Sequence, residues 1–309
     1  MKKMHETDGE TFVKALVYGK PGTGKTSFGV TAPKPLILLT ERQGYVHIRQ
    51  AAARLGVPVP ETLFIEDAED LRNVARAVFS AHKSGASEVI VHNELGQETY
   101  RGPAPKTLVI DSITDAFRLL EDEIKREAPP QKGKDGLDAV SERYWGALAD
   151  RGEKLIRGFR NLPVNVLFLA LEDEKQVGEG AEAERLVGPM LPMRKMPSVL
   201  AAAVNVVGIT VRAIRAKAEG AKGDAKIVFA VRTVGPSCYL LKPCRPLRDT
   251  EVSDFSSWVD RMNDVSLLAP ETGLEEEPTK QPTEMPETEE TEKTELPKPK
   301  KPKTRTTQN

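Results

Sequence analysis

The sequence has few of the residue types that mark secreted proteins and proteins that coat nucleic acid. Only 2 of its 309 residues are cysteine, and 5% are aromatic. Cys238 and Cys244 match no zinc-ligand spacing, and a chain of this length can bury a core without disulfides, so we expect two thiols in a reducing compartment. The 45 Lys and Arg residues are balanced by 46 Asp and Glu residues. Any nucleic-acid binding must therefore come from a local basic patch or from several subunits together.

Long apolar runs are also missing from the sequence. The longest weakly polar stretch, residues 199–211, is well short of the roughly 20 residues that cross a bilayer. No apolar stretch follows the first residues, MKKMHETDGE, so we expect no secretory signal. The sequence therefore predicts a cytoplasmic protein without a membrane partner.

The composition changes sharply near Pro270. Residues 271–309 contain 10 acidic and 7 basic residues, no aromatic residue and many Pro and Thr residues. Such a segment cannot bury enough apolar surface to offset the entropy of ordering it. We therefore predict a flexible start over residues 1–10, one domain over residues 11–269, and a disordered tail over residues 270–309 with a basic end.

Within residues 11–269, short apolar runs alternate with longer helical patterns. The predicted strands are residues 12–18, 36–40, 63–65, 88–92, 108–110, 164–170, 204–211 and 227–232. The predicted helices are residues 25–30, 45–55, 68–82, 113–126 and 140–161, the last with Val140, Tyr144, Leu148, Leu155 and Phe159 on one face. This alternation predicts an α/β fold with a mainly parallel central sheet that is covered on both faces.

A phosphate-binding motif lies at the first junction between a strand and a helix. Gly19, Gly24, Lys25 and Thr26 have the spacing G-x-x-x-x-G-K-[ST] of a P-loop. Glycines let the backbone turn its N–H groups toward phosphate, the lysine reaches the terminal phosphates, and the Thr hydroxyl binds Mg²⁺. We therefore predict a nucleotide-binding segment made of Gly19, Lys20, Pro21, Gly22, Thr23, Gly24, Lys25, Thr26 and Ser27.

A P-loop needs a second carboxylate on the metal side, and the stretch KTLVIDSIT supplies one. Its apolar residues end in Asp111, the form of a Walker B strand, which predicts that Asp111 and Thr26 hold Mg²⁺. An Asp that caps the following helix has the same pattern, and the two roles are compatible.

Hydrolysis of a nucleotide also needs a group that orients or deprotonates water. Glu41 follows the apolar run LILLT, and the carboxyl end of such a strand faces the crevice where α/β sheets bind ligands. We therefore predict Glu41 as the base, although an exposed loop glutamate has the same pattern. Glu172, which follows VLFLA, is a second candidate for the base or for sensing the γ-phosphate.

Four segments, GKPGTGKTS, LLTER, KTLVIDSIT and VNVLFLALE, occur in this order over about residues 12–234. Together they resemble the RecA-type ATPase core, and most closely phage-encoded proteins of that class, which include single-strand annealing recombinases. The resemblance implies a RecA-like fold, ATP and Mg²⁺ as cofactors, Lys25 and Glu41 as catalytic residues, and a homo-oligomer. It also implies a role in phage DNA recombination or replication. For the tail, which lies beyond the resemblance, we expect a contact with a replication or recombination partner. Because no amino-terminal domain of the full recombinases is recognisable, strand binding or annealing is favoured over strand exchange.

In RecA-type proteins, single-stranded DNA is bound by loops that correspond here to residues 128–138 and 173–197. The basic candidates for phosphate contacts are Lys132, Lys134, Lys175, Arg194 and Lys195, and plain solvated loops are the alternative. Arg232 resembles the basic residue that reaches the γ-phosphate of a neighbouring subunit, although a surface arginine at a strand end has the same pattern. A switch or assembly ATPase that acts on a protein partner without DNA contact remains the other interpretation of the whole chain.

Overall fold

The computed structural model describes residues 12–127, 131–132, 138–139, 142–177, 184–215 and 226–268. The chain divides into two units, Met1–Ala269 and Pro270–Asn309, and every described residue lies in the first. The start and the tail predicted over residues 1–10 and 270–309 lie outside the described residues, so both stay predictions.

Thirteen strands and seven helices are formed by the described residues. The strands are β1 Lys14–Gly19, β2 Pro35–Leu39, β3 Glu61–Phe64, β4 Glu88–His92, β5 Glu98–Pro103, β6 Thr107–Asp111, β7 Gln131–Lys132, β8 Asp138–Ala139, β9 Asn165–Val177, β10 Glu184–Pro189, β11 Val206–Arg215, β12 Lys226–Arg232 and β13 Thr250–Val252. The helices are α1 Lys25–Val30, α2 Gly44–Leu55, α3 Ala68–Ser84, α4 Ile113–Glu127, α5 Glu142–Arg160, α6 Met196–Ala203 and α7 Phe255–Asn263, followed by a short 3₁₀ helix, Val265–Leu268.

The main sheet has nine strands, of which eight follow the order β13-β12-β11-β1-β9-β6-β2-β3 and the ninth, β10, pairs with β9. The six strands from β11 to β3 are parallel to their neighbours, whereas β10, β12 and β13 pair antiparallel. The prediction of an α/β fold with a mainly parallel sheet is therefore confirmed. Because parallel strands end at the same edge, the carboxyl ends of β1, β2 and β6 share one crevice, and β9 passes this edge between β1 and β6 before it continues to Val177.

Helices cover both faces of the sheet, because side chains along each strand alternate between two cores. Leu16 and Tyr18 of β1 belong to the core that α3, α4, α5 and α6 cover. Ala15 and Val17 belong to the core that α1, α2 and α7 cover. In the second core the rings of Phe28 (α1) and Trp258 (α7) lie 5.0 Å apart, edge to face, which anchors the helix that follows the P-loop.

The predicted helices have clear local causes. In α3 the Asp67 side chain accepts a hydrogen bond of 2.9 Å from the Asp70 backbone N–H, and the helix ends at Gly85 in the left-handed conformation. In α5 the predicted apolar face is buried at Leu148, Leu155 and Phe159. Val140, the first residue of that predicted face, lies outside the described residues.

The prediction of one long loop over residues 173–197 is wrong. Strand β9 continues to Val177 and pairs with β10 as a hairpin, and α6 begins at Met196. This hairpin carries alternating charges, including an ion pair between Glu174 and Arg185. Since those residues face solvent, the segment has the polarity of a loop. Strands β5 and β13 and helices α6 and α7 were also not predicted.

Most of the other predicted loop, residues 128–138, lies outside the described residues. Its described residues, Gln131, Lys132 and Asp138, belong to β7 and β8, which pair as a small separate sheet. Within the described residues, no helix is both long enough and apolar enough to cross a membrane.

Candidate nucleotide site

The loop between β1 and α1 has the conformation that its glycines allow. Gly22 and Gly24 have φ angles of 72° and 96°, in the left-handed region that residues with a Cβ rarely adopt. A Cβ on Gly24 would lie 2.9 Å from Cγ of Phe229, and one on Gly19 would lie 2.1 Å from Oγ1 of Thr210. The loop therefore packs against Thr210 of β11 and Phe229 of β12 only with glycine at positions 19 and 24.

Lys25 is buried at the mouth of this loop. Its Nζ donates hydrogen bonds to the carbonyl oxygens of Gly19 at 2.8 Å and Lys20 at 2.9 Å. Burial lowers the pKa of Lys25, and the carboxylates of Asp111 and Glu172 partly offset that decrease. The position of this ammonium group is the one that a phosphate-binding lysine needs.

Thr26 and Asp111 form the metal side of the site. The Thr26 hydroxyl donates a hydrogen bond of 2.9 Å to Oδ2 of Asp111 at the end of β6. Burial raises the pKa of Asp111, whereas the Thr26 hydrogen bond and the Lys25 charge act in the opposite direction.

A hydroxyl and a carboxylate are the hard oxygen ligands that Mg²⁺ prefers, so these two side chains fit the predicted ion. Among the described residues, no group of three or more His, Cys, Asp and Glu side chains is placed to hold a metal by itself. Mg²⁺ usually binds one or two protein ligands together with water and substrate phosphates.

Glu41 lies at the same edge of the sheet as Asp111. Strands β2 and β6 are neighbours, with Leu39 opposite Asp111, and the Thr40 backbone N–H donates a hydrogen bond of 3.1 Å to the Asp111 carbonyl oxygen. Glu41 is exposed, and its charge contributes to the raised pKa of Asp111. The structure thus brings the predicted base close to the predicted metal ligand, and the role of Glu41 stays a prediction.

Glu172 lies on the lysine side of the site. It belongs to β9, between β1 and β6, and its side chain is only 10% exposed. Its Oε1 is 3.9 Å from Nζ of Lys20. Glu172 is therefore next to the P-loop cations, whereas Glu41 is next to Asp111.

The structure does not bring Arg232 together with these groups inside one chain. Because β12 is antiparallel to β11, its first half lies nearer the P-loop than its last residue does. Arg232 is level with Tyr18 but two strands away from it, and in the described part of the chain it has no hydrogen bond or ion pair with the P-loop. A role for Arg232 toward a neighbouring subunit stays a prediction.

Side chains that the sequence did not single out hold the P-loop from outside. Arg212 of β11 donates to the carbonyl oxygen of Gly22, at 2.7 Å from Nη2 and 3.2 Å from Nε. The hydroxyls of Thr210 and Thr23 are 2.5 Å apart. The strand predicted over residues 204–211 is too short, because β11 continues to Arg215. Side chains alternate along a strand, so Thr210 and Arg212 lie on one face. That alternation is the one sequence signal for these two residues.

The predicted DNA-contacting residues have mixed surroundings. Lys175 forms an ion pair with Asp173 at 3.1 Å, and Lys195 forms one with Glu153 at 3.3 Å. Arg194 is exposed and has no ion pair within the described ranges. The side chain of Lys132 and the whole of Lys134 lie outside those ranges.

Comparison with known families agrees with this geometry. A family model described as an AAA domain matches residues 11–212, more than half of the chain. The match includes the P-loop, Glu41, Asp111 and Glu172, and it ends before Phe229 and Arg232. No curated protein matches the sequence. The finer likeness to phage recombinases stays a prediction, but the P-loop, the parallel sheet and the match together show that the chain belongs to the AAA domain family of nucleotide-binding P-loop ATPases.

Proposed function

We propose that the protein is a Mg²⁺-dependent ATPase of phage DNA recombination or replication that binds or anneals single-stranded DNA. The observation that best supports the ATPase part is the hydrogen bond between Thr26 and Asp111 beside the buried Lys25. In this arrangement Lys25 binds the terminal phosphates, Thr26 and Asp111 hold the ion, and Glu41 takes a proton from the attacking water. A bound Mg²⁺ would neutralise the negative charge that develops on the phosphates during transfer.

Two features support single-stranded DNA as the partner. The first is the resemblance to annealing recombinases, which implies that the segments at residues 128–138 and 173–197 contact DNA. The second is the position of the hairpin formed by β9 and β10. Glu172, whose side chain pairs with Lys20, lies at the base of this hairpin, and the exposed Arg194 follows the hairpin in the chain. DNA bound there would lie next to the nucleotide, so that ATP binding could control it.

A second candidate function is a switch or assembly ATPase that acts on a protein partner. The observation that favours it is the pairing of basic residues with acids: Lys175 with Asp173, Arg185 with Glu174 and Lys195 with Glu153. These ion pairs reduce the local positive charge that phosphate binding requires.

Binding of a fluorescent single-stranded oligonucleotide, with and without a non-hydrolysable ATP analogue and over a range of salt concentrations, tests the DNA proposal. Contacts with phosphates predict affinity that falls steeply as salt rises. Arg194→Ala should weaken binding and reduce the salt slope by about one. Arg157→Ala is the matched control, because Arg157 is exposed near the end of α5, close to the amino edge of the sheet. Absence of binding at low salt with nucleotide present would reject the DNA proposal.

For the predicted homo-oligomer, the test is ATPase activity per subunit as a function of protein concentration. If Arg232 acts on a neighbour's γ-phosphate, Arg232→Ala should bind ATP but hydrolyse it poorly. Mixing Arg232→Ala with Glu41→Gln should then restore part of the activity, at interfaces that pair an intact Glu41 with an intact Arg232. Activity independent of concentration, with no rescue in the mixture, would exclude a shared site.

A further inference from the structure

A cleft of about 370 Å³ opens beside the P-loop, on the face of the sheet that α1 and α2 cover. Its walls include Lys25 and Thr26, which the proposed function assigns to phosphate and metal. Its other walls come from α2 and from Phe229 of β12. A ligand whose phosphates lie on the P-loop would therefore extend into this cleft.

Two planar groups lie together in the cleft. The Phe229 ring packs against Gly24, where an added Cβ would come within 2.9 Å of it. The Arg54 guanidinium carbon lies 5.5 Å from the centroid of the Phe229 ring, and its Nη2 donates a hydrogen bond of 2.6 Å to Oγ of Ser27. An aromatic ring and a guanidinium plane are the side chains on which nucleobases stack.

We infer that this cleft is the base subsite of the nucleotide site, an inference that rests on the proposed binding of a nucleoside triphosphate at the P-loop. The base stacks on Phe229 and Arg54, with Gln50 and His47 of α2 at its edge. All of these side chains belong to one chain, so the base is held without a neighbouring subunit. Phe229 lies outside residues 11–212, the part of the chain that the family model matches.

The groups that line the cleft also indicate which bases it accepts. Stacking strength grows with the area of the base, so a subsite built on Phe229 and Arg54 favours a purine over a pyrimidine. The amide of Gln50 both donates and accepts hydrogen bonds, so it can turn to match adenine or guanine. Gln50 and His47 are exposed to water, which weakens discrimination by hydrogen bonds. The subsite is therefore a purine site with similar affinity for adenine and guanine nucleotides.

Calorimetric titration of the full chain with ADP, GDP, CDP, UDP and pyrophosphate in Mg²⁺ tests this inference without turnover. The parent protein should bind ADP and GDP with similar affinity, and CDP and UDP about tenfold more weakly. Phe229→Ala should bind ADP about tenfold more weakly than the parent and leave pyrophosphate affinity unchanged. Phe229→Tyr should restore ADP binding. Phe79→Ala, which truncates an exposed phenylalanine on α3, is the matched control and should bind like the parent.

Three results would overturn the base subsite. The first is equal affinity of the parent for all four diphosphates together with no loss in Phe229→Ala. The second is an equal loss of ADP and pyrophosphate binding in Phe229→Ala, which would mean that Phe229 shapes the P-loop and does not contact a base. The third is failure of the parent to bind pyrophosphate or any nucleotide, which would overturn the proposed function as well. Loss of all binding in Lys25→Ala, with purine preference in the parent, would support both.

Discussion

The hydroxyl of Thr26 donates a hydrogen bond of 2.9 Å to Asp111, a residue 85 positions later in the sequence. The strands that carry these two groups to the edge, β1 and β6, are not neighbours, because β9 lies between them. The hydrogen bond therefore crosses β9 near the level of Leu169 and Leu171, and it joins the phosphate side of the site to the metal side. A divalent ion bound by these two oxygens would lie where the terminal phosphates of a nucleotide on the P-loop also end.

Asp111→Asn should remove the metal dependence of nucleotide binding. The parent is expected to bind ADP more tightly with Mg²⁺ than with EDTA, whereas Asp111→Asn should bind it equally in both. ATP hydrolysis should fall by roughly a hundredfold, because the ion no longer neutralises charge in the transition state. Asp150→Asn, an exposed residue of α5 that pairs with Lys154, is the control. A parent-like response of Asp111→Asn to Mg²⁺ would disprove the metal assignment.

Glu41→Gln should keep nucleotide affinity and lower hydrolysis by roughly 10²-fold or more, as loss of a general base does. The reason is its position two residues after β2, where its charge reaches Asp111. Glu172→Gln should have a smaller effect on the rate, because Glu172 lies beside Lys20 on the phosphate side. Steady-state ATPase rates and ADP affinities of both variants provide the comparison. If Glu172→Gln loses hydrolysis and Glu41→Gln keeps it, then Glu172 is the base.

Lys14 should make the stability of the protein depend on pH in the alkaline range. Its Nζ is buried at the start of β1 and donates to the carbonyl oxygens of Leu162 and Val164, and burial lowers its pKa from 10.5 to about 8. Between these values the unfolded chain holds more protons than the folded chain, so the free energy of unfolding rises with pH. The increase is about 3 kcal/mol in total and is complete above pH 10.5.

Chemical denaturation from pH 7 to 11, compared between the parent and Lys14→Met, measures this contribution. The difference in unfolding free energy between the two proteins should move in favour of the parent as the pH rises from about 8 to 10.5. A difference that stays constant over this range would show that Lys14 titrates normally.

The site residues that could be predicted from the sequence are those that belong to short local motifs. The P-loop is a short motif flanked by its own strand and helix, and Asp111 and Glu41 each follow a buried strand directly. The groups that hold the loop from outside come from strands distant in sequence. Arg212 reaches a carbonyl oxygen 190 residues away, and its position depends on which strand lies beside β1. Strand order is decided by packing of the whole chain, so a local pattern could place Arg212 on a strand face, but it could not show that Arg212 or Phe229 contacts the P-loop.

The elements missed in the fold have a similar cause. The outer part of the hairpin of β9 and β10, around Glu174 and Arg185, faces solvent and carries charges, so it lacks the periodicity that marks a buried strand. Helix α7 is short, and its apolar residues Phe255 and Trp258 are buried because they pack on Phe28 of α1. Contacts of this kind are visible only when both partners are folded.

ATP hydrolysis by the parent and by Lys25→Ala, each with Mg²⁺ and with EDTA, tests the central claim most directly. Lys83→Ala, an exposed lysine of α3, is the matched control, and thermal melting of all three proteins reports whether the fold is kept. The parent and Lys83→Ala should hydrolyse ATP only with Mg²⁺, and Lys25→Ala should fall to background with a similar melting temperature. Equal Mg²⁺-dependent rates in Lys25→Ala and the parent would contradict the assignment of this loop as the catalytic nucleotide site.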